Sequence, residues 1–152
     1  MRTEKSHIAA FLALLFFSLL IGVSNAATKK VIAATEKLTL EAEPAFREAS
    51  GEALIRDARA GQKEINIQAS GLRPNSVYTL WFVSEEAGKN MAGVGRADFS
   101  FKSDDRGNAK YSATVSAAEI RKWDKIEVAY HPDGNPRNMA NIDIALIGDL
   151  GG

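Results

Sequence analysis

The sequence predicts an all-β fold: an antiparallel β-sandwich of about seven or eight strands, immunoglobulin-like, with one short helix near 116–123. Three observations support this prediction. Short segments such as Lys63–Ala69 alternate apolar and polar residues, the period of a half-buried strand. Turn-forming residues separate these segments at short intervals. One segment, Val77–Val83, is apolar on both faces, which is typical of a strand near the centre of a sandwich.

The N-terminal segment has the pattern of a signal peptide. Arg2 and Lys5 precede an apolar run from Ile8 to Val23, and Ser24-Asn25-Ala26 presents small residues at a peptidase site. The run is shorter than the ~20 residues of a spanning helix. We therefore expect cleavage after Ala26, with an uncleaved membrane anchor as the alternative.

The remaining chain has the length of one domain, and no composition break indicates a second. The predicted organisation is a signal peptide over 1–26, a flexible lead-in over 27–37 and a β-sandwich over 38–150. Val31 and Ile32 in the lead-in are also compatible with an edge strand.

Charge and cysteine content exclude several classes of function. The chain has 19 basic and 19 acidic residues, and loss of Arg2, Glu4 and Lys5 leaves 17 and 18, a formal charge of −1. This balance gives no electrostatic basis for nucleic-acid or anionic-membrane binding. The absence of cysteine excludes disulfides and thiolate chemistry. An exported domain without disulfides favours a bacterial periplasmic or secreted location, with a mature domain that does not span the membrane.

The first half of the domain contains four predicted strands. Leu38–Ala42 alternates and ends before Pro44, which lacks a ladder donor, and Glu52–Asp57 is the second strand. Lys63–Ala69 is the third and places Ile65, Ile67 and Ala69 on one face. A Gly-Leu-Arg-Pro-Asn-Ser turn then leads into Val77–Val83.

The second half begins with a long loop over Glu85–Gly95, rich in glycine and charge. Ala97, Phe99 and Phe101 alternate with polar residues and predict a strand. Residues 103–108 predict a hairpin turn, with Gly107 available for positive φ, and a strand returns through Ala109–Val115.

The last elements are a helical turn and two strands. Ser116-Ala117-Ala118-Glu119 matches a capping box, in which Ser accepts from the amide three residues on and Glu reaches back. It predicts a helix through Trp123. Strands are expected over Ile126–Tyr130 and Ile142–Leu146, separated by a break at 131–136.

Strand and turn residues between Glu52 and Leu150 form a wider pattern: Gly71-Leu72, Pro74, Tyr78, Leu80-Trp81, Val83, Ala92-Gly93, Phe99, Asp104 to Gly107, Val128 and His131 to Pro136. This pattern resembles the extracytoplasmic β-sandwich domain of anti-sigma-K factors. The resemblance implies a non-enzymatic sandwich. It does not imply sigma-factor binding, because such factors have an intracellular helical region before a membrane span, and here seven residues precede the apolar run.

The turn before Val77–Val83 is also similar to turns of copper/zinc superoxide dismutases and chordin-like repeats. A dismutase metal site needs a cluster of histidines, and His131 is the one histidine after residue 26. The sequence therefore does not support dismutase chemistry.

A site for a soft metal ion is the more specific alternative to catalysis. Met91, His131 and Met139 are the methionines and the histidine of the predicted mature chain. Thioether and imidazole ligands suit Cu(I) in an exported protein without cysteine. The competing interpretation is that the two methionines fill gaps under long loops.

No catalytic residues are predicted. His131 beside Pro132 has the pattern of a turn residue, and no serine motif accompanies it. Glu85 and Glu86 are adjacent and point apart, as solvated charges do. Asp104, Asp105 and Asn108 lack the spacing and closing glutamate of a calcium loop.

Seven aromatic residues are candidates either for a carbohydrate or peptide groove or for the core: Tyr78, Trp81, Phe82, Phe99, Phe101, Tyr111 and Tyr130. Most alternate in phase with aliphatic residues, so we expect core packing for all but one or two.

Two functions follow from these observations. The first is an exported, non-catalytic β-sandwich that binds an unknown protein or envelope component through the Glu85–Gly95 and Pro132–Ala140 loops, without a cofactor. The second is a periplasmic Cu(I)-binding protein that uses Met91, His131 and Met139.

Overall fold

The computed structural model describes residues 35–86, 90–95 and 97–151. The predicted signal peptide and most of the predicted lead-in lie outside the described residues. Within them, no helix has the length and apolar character needed to cross a membrane.

The described chain is built from nine strands, one 3₁₀ turn and one short helix. The strands are β1 Thr35–Ala42, β2 Ser50–Asp57, β3 Gln62–Ser70, β4 Val77–Val83, β5 Met91–Gly93, β6 Ser100–Lys102, β7 Ala109–Ser116, β8 Lys125–His131 and β9 Asp143–Asp149. The 3₁₀ turn is Pro44–Phe46 and the helix, α1, is Ala117–Ile120.

The strands form one curled antiparallel sheet that folds into two layers. Layer 1 is β1-β2-β3-β7, and layer 2 has β4 paired with β5, β6 and β8, followed by β9. β1 joins the layers, because its first part pairs with β2 and its last residues, Glu41 and Ala42, pair with β9. The order β2-β3-β7 opposite β4-β8-β9 corresponds to strands A-B-E and C-F-G of immunoglobulin-type sandwiches. The predicted all-β sandwich is therefore confirmed.

One hydrophobic core lies between the layers. The predicted inward face of β3 is buried, and Tyr78, Leu80 and Phe82 enter the core from β4. Phe46 from the 3₁₀ turn packs edge-on against Tyr130 of β8 at 5.7 Å between ring centroids. Both faces of β4 are largely buried, as its apolar sequence predicts.

The turn before β4 is fixed by contacts that demand particular residues. Gly71 has φ +68°, and a Cβ there would lie 2.1 Å from the carbonyl oxygen of Glu48. The Tyr78 hydroxyl accepts from the amide of Arg73 at 2.9 Å. The Arg73 guanidinium carbon lies 5.0 Å and 4.7 Å from the ring centroids of Phe46 and Tyr130. The turn therefore closes this end of the core.

The predicted strand over Ala97–Phe101 is wrong in its first half. Ala97 and Phe99 adopt left-handed backbone conformations, with φ 62° and 58°, which no strand accommodates. β6 is limited to Ser100–Lys102. The alternation of apolar residues predicts a strand here, but Phe99 does not lie on the buried face to which Phe101 belongs.

Residues 103–108 do not form a hairpin turn between paired strands. They join β6 of layer 2 to β7 of layer 1, so the connection crosses the sandwich. The local turn chemistry is nevertheless as expected: Asp104 Oδ1 accepts from the amides of Arg106 and Asn108, and Gly107 has φ +78°. A Cβ on Gly107 would lie 2.2 Å from the Leu72 carbonyl oxygen.

The helix α1 has half of the predicted capping box. Ser116 Oγ accepts from the amide of Ala118, two residues on. The Glu119 carboxylate does not return to the cap. It accepts instead from Lys122 Nζ and from the indole N–H of Trp123.

Several boundaries also differ from the prediction. β1 begins at Thr35, so the end of the predicted flexible lead-in belongs to a strand. The predicted loop Glu85–Gly95 contains β5. The register between β8 and β9 shifts between Val128 and Ala129.

Candidate functional site

The outer face of layer 2 carries a row of side chains from alternate positions of β4: Val77, Thr79, Trp81 and Val83. This face is covered rather than open. Phe99 lies over Gly93, where a Cβ would come within 2.0 Å of the Phe99 ring. Trp81 pairs with Gly93 across the strands and meets Phe99 edge-on at 5.5 Å between ring centroids. The two rings form an edge-to-face pair on the outside of the sandwich, which we call the aromatic platform.

A groove of about 500 Å³ opens beside this platform, within the range typical of small-molecule sites. Its walls come from β4, from the segment before β6 and from the loop after β8. The lining residues are Trp81, Ala97, Asp98, Phe99, Pro136, Arg137 and Met139. Most of them are apolar, and one acidic and one basic side chain complete the set.

The Trp81 ring is held by hydrogen bonds beneath it. The indole N–H donates to Thr79 Oγ1 at 2.7 Å, and Thr79 Oγ1 lies 2.8 Å from Nε2 of His131. An indole nitrogen only donates, so the hydroxyl accepts from Trp81 and directs its own proton at the imidazole. Thr79 and His131 are both fully buried. The polar edge of Trp81 is thus satisfied inside the protein.

The loop after β8 is stabilised by its own side chains. Asp133 accepts from the amide of Asn135 at 2.9 Å and from the side-chain amide of Asn138 at 2.7 Å. Asn135 in turn accepts from the amide of Arg137 at 3.1 Å. The two bonds that Asp133 accepts lower the pKa of its carboxyl, and the bond from the Asn135 amide has the larger effect. Side-chain-to-backbone bonds of this kind organise the segment that presents Pro136, Arg137 and Met139.

Asp98 is an oriented anion at the groove wall. Its Oδ1 accepts from the hydroxyl of Ser100 at 2.8 Å and from the Ser100 amide at 3.3 Å. These bonds, led by the hydroxyl, lower the pKa of the Asp98 carboxyl, and the nearby charge of Arg137 adds to the effect. Asp98 also lies between the two left-handed residues Ala97 and Phe99. Such backbone strain is found preferentially at functional positions.

His131 is not the turn residue that its position beside Pro132 predicts. It is the last residue of β8 and is 1% exposed. Its Nδ1 is buried without a hydrogen-bond partner among the described residues. The imidazole is a structural support for Thr79.

The structure does not bring the predicted copper ligands together. Met91 pairs with Val83 and His131 pairs with Val77, at opposite ends of β4. These ends are about 20 Å apart at a rise of about 3.3 Å per residue, whereas a metal–sulfur bond is about 2.3 Å. Met139 lies at the groove. A single ion cannot contact all three, so the predicted three-ligand site is wrong.

Acidic groups do not assemble a metal site either. In the part of the chain that the structure describes, no group of three or more histidine, cysteine or acidic residues is placed to hold an ion. Glu85 forms an ion pair with Lys125, and this bond raises the pKa of the Lys125 ammonium group.

Of the two loops predicted to bind a partner, only Pro132–Ala140 contributes described residues to the groove. The described part of Glu85–Gly95 begins at the Val83 end of β4, and Pro132–Ala140 begins at the opposite end. The second loop extends along the outer face to reach Trp81, and residues 97–99 line the groove in place of the first loop.

The expectation that all but one or two aromatic residues pack in the core agrees with the structure. Trp81 and Phe99 are the two at the groove, whereas the others belong to the core or pack against it. Sequence reasoning did not identify Thr79, Asp98 or Arg137. For Thr79, the one signal in the sequence is that it is a polar residue within an otherwise apolar strand, which indicates a specific hydrogen bond.

No protein-family model matches the sequence, and no curated protein matches it either.

Proposed function

We propose that this protein is an exported, non-catalytic binding module of the cell envelope, and that the groove over layer 2 is its ligand surface. The observation that carries the proposal is the platform of Trp81 and Phe99 on the outside of the sandwich, next to Asp98 and Arg137. Large aromatic residues at a surface concavity, with a few oriented polar groups, are characteristic of ligand sites.

The non-catalytic part of the proposal rests on the chemistry of the lining. The described residues that line the groove include no serine, cysteine or lysine nucleophile, and their one carboxylate is that of Asp98, which Ser100 holds ionised. The buried His131 is engaged with Thr79 beneath the platform. This arrangement orients a ligand and offers no paired acid and base.

Cellular location is tested by fractionation of bacteria that express the full chain. We expect the protein in the periplasmic or secreted fraction, with its N-terminus at Ala27. Retention of residues 1–26 in the membrane fraction would favour the anchored alternative, and a cytoplasmic protein would contradict export.

Ligand binding is tested by immobilising the purified protein and exposing it to envelope extract. The comparison is between wild type, the groove variant Trp81→Ala with Arg137→Ala, and the control Ser112→Ala on the outer face of layer 1. Material retained by wild type and the control, but not by the groove variant, supports the proposal. Equal retention by all three would place the ligand elsewhere.

Catalysis is tested on the same retained material. Its mass is measured before and after incubation with the protein, and we expect no change. Conversion to a product would show that the protein is an enzyme.

A further inference from the structure

The described residues that line the groove include two charged side chains of opposite sign, Asp98 and Arg137. Asp98 is kept ionised by Ser100, and the charge of Arg137 is close enough to influence it. Among the described lining residues these two charges offset each other, so they favour neither an anion nor a cation. A neutral ligand fits this arrangement best.

The two groups are also complementary in hydrogen bonding. A carboxylate only accepts, and a guanidinium only donates. Asp98 uses Oδ1 for both bonds from Ser100, and its Oδ2 has no hydrogen bond from any other residue that the structure describes, so it faces a ligand in this proposal. Hydroxyl groups both donate and accept, so a neighbouring pair on one ligand can satisfy Asp98 and Arg137 together.

Trp81 offers the ligand its ring and not its N–H, because that proton is already donated to Thr79. A peptide carbonyl could not accept a hydrogen bond from this indole, because its single N–H is already engaged. Here the contact is limited to the aromatic surface, whose negative face attracts weakly positive C–H groups. A flat ring with C–H groups on its face and hydroxyls on its rim matches these features.

We propose that the groove binds a neutral saccharide, with one sugar ring packed on the face of Trp81 beside Phe99 and two of its hydroxyls bonded to Asp98 and Arg137. This inference rests on the proposed function, because it names the ligand class of the same groove. Thr79 and His131 act as positioning residues, since they hold the indole without contacting the ligand.

The experiment uses tryptophan fluorescence of a Trp123→Phe background, in which Trp81 is the one remaining tryptophan. The purified protein is titrated with neutral oligosaccharides of glucose, mannose and N-acetylglucosamine, with an oligosaccharide of glucuronic acid, and with a proline-rich peptide. We expect a saturable change in Trp81 emission with at least one neutral oligosaccharide and none with the peptide.

Variants in the same background assign the binding to the groove. Asp98→Asn and Arg137→Met are each expected to weaken binding at least tenfold. The matched controls Asp105→Asn and Arg121→Met, both exposed away from the groove residues, are expected to bind as the background does. Thr79→Val is expected to shift Trp81 emission in the absence of ligand and to weaken binding.

The outcomes separate the two proposals. Binding only of the peptide or of the charged oligosaccharide, lost on Arg137→Met, would overturn the saccharide and leave the groove as the ligand surface. Saccharide binding that Asp98→Asn and Arg137→Met leave unchanged would overturn the assigned contacts. Absence of binding by the whole panel, together with groove-dependent retention of envelope material, would overturn the saccharide alone.

Discussion

At the scale of single residues, two glycines in turns are required by close contacts and not only by backbone freedom. Gly71 and Gly107 each have positive φ and each would place a Cβ against a carbonyl oxygen of a neighbouring segment. Gly61 has a similar φ of +72°, but nothing lies within 4 Å of its Cβ position. A side chain at Gly61 would therefore meet only the cost of a left-handed backbone, whereas a side chain at Gly71 or Gly107 would also clash with a neighbouring segment.

We predict that Gly71→Ala lowers the free energy of unfolding by more than about 3 kcal/mol, because the contact with Glu48 must be relieved by moving backbone. Gly61→Ala should lower the free energy of unfolding by only about 1 to 2 kcal/mol, because the cost comes from the left-handed backbone conformation alone. Urea denaturation of the two variants measures the difference. Equal losses would show that the packing around Gly71 adjusts freely.

Because of Tyr78, we expect the free energy of unfolding of the domain to depend on pH in the alkaline range. Burial raises its pKa from 10.0 to about 12, because the tyrosinate is poorly solvated in the core. Between these values the unfolded chain has released the proton that the folded chain still holds. The free energy of unfolding therefore falls as pH rises through this window.

Tyr78→Phe removes that titration. We predict that the variant is less stable than wild type by about 1 kcal/mol near neutral pH, because the hydrogen bond from Arg73 is lost. Its stability should then decline less steeply between about pH 10 and about pH 12 than that of wild type. Urea midpoints across this range give the comparison, and parallel curves would contradict the assignment.

At the scale of elements, β4 has different roles on its two faces. Tyr78, Leu80 and Phe82 build the core, whereas Trp81 lines the groove and is held there by its bond to the buried Thr79. Phe82 also stacks on Trp123 at 6.1 Å between ring centroids. One strand therefore connects the hydrophobic core to the candidate site.

Neighbouring substitutions in β4 are predicted to differ in cost. Phe82→Ala should lower the free energy of unfolding by about 3 to 5 kcal/mol, as expected for a fully buried aromatic residue. Trp81→Ala should cost about 1 to 2 kcal/mol, because the ring is only partly buried and loses one hydrogen bond. Chemical denaturation measures both, and the reverse order would place Trp81 in the core.

The strands also show where the periodicity of apolar residues predicts secondary structure correctly. β3, β4 and β8 were predicted to within a residue or two, because each has a buried face that requires apolar residues at every second position. The segment Ala97–Phe101 had the same pattern without the same structure. Its Phe99 is apolar because it covers Gly93 on the outer face, a contact that periodicity does not encode.

At the scale of the whole molecule, β1 makes the two layers one sheet. Leu40 lies where β1 leaves β2 for β9, and its methyl groups fill the space above Gly51 and Gly148. A single core cluster includes residues of both layers. The layers are therefore expected to unfold together.

We predict that Leu40→Ala lowers the free energy of unfolding by about 2 to 5 kcal/mol while unfolding stays two-state. Tryptophan fluorescence reports on the side of the core formed by layer 2, and far-ultraviolet circular dichroism reports on strands of both layers. Coincident transitions are expected by the two methods. A fluorescence transition that precedes the other would show that the layers are independently stable.

The sequence by itself determined the all-β class, the main strands and the glycine turns, because burial on alternate positions and positive φ leave direct traces in residue type. It also pointed to one or two aromatic residues outside the core. Only the tertiary structure decided that these are Trp81 and Phe99, and that Asp98 and Arg137 accompany them. It also placed Met91 and His131 at opposite ends of β4. The course of loops and the pairing of distant strands depend on contacts between residues far apart in sequence, which local patterns do not record.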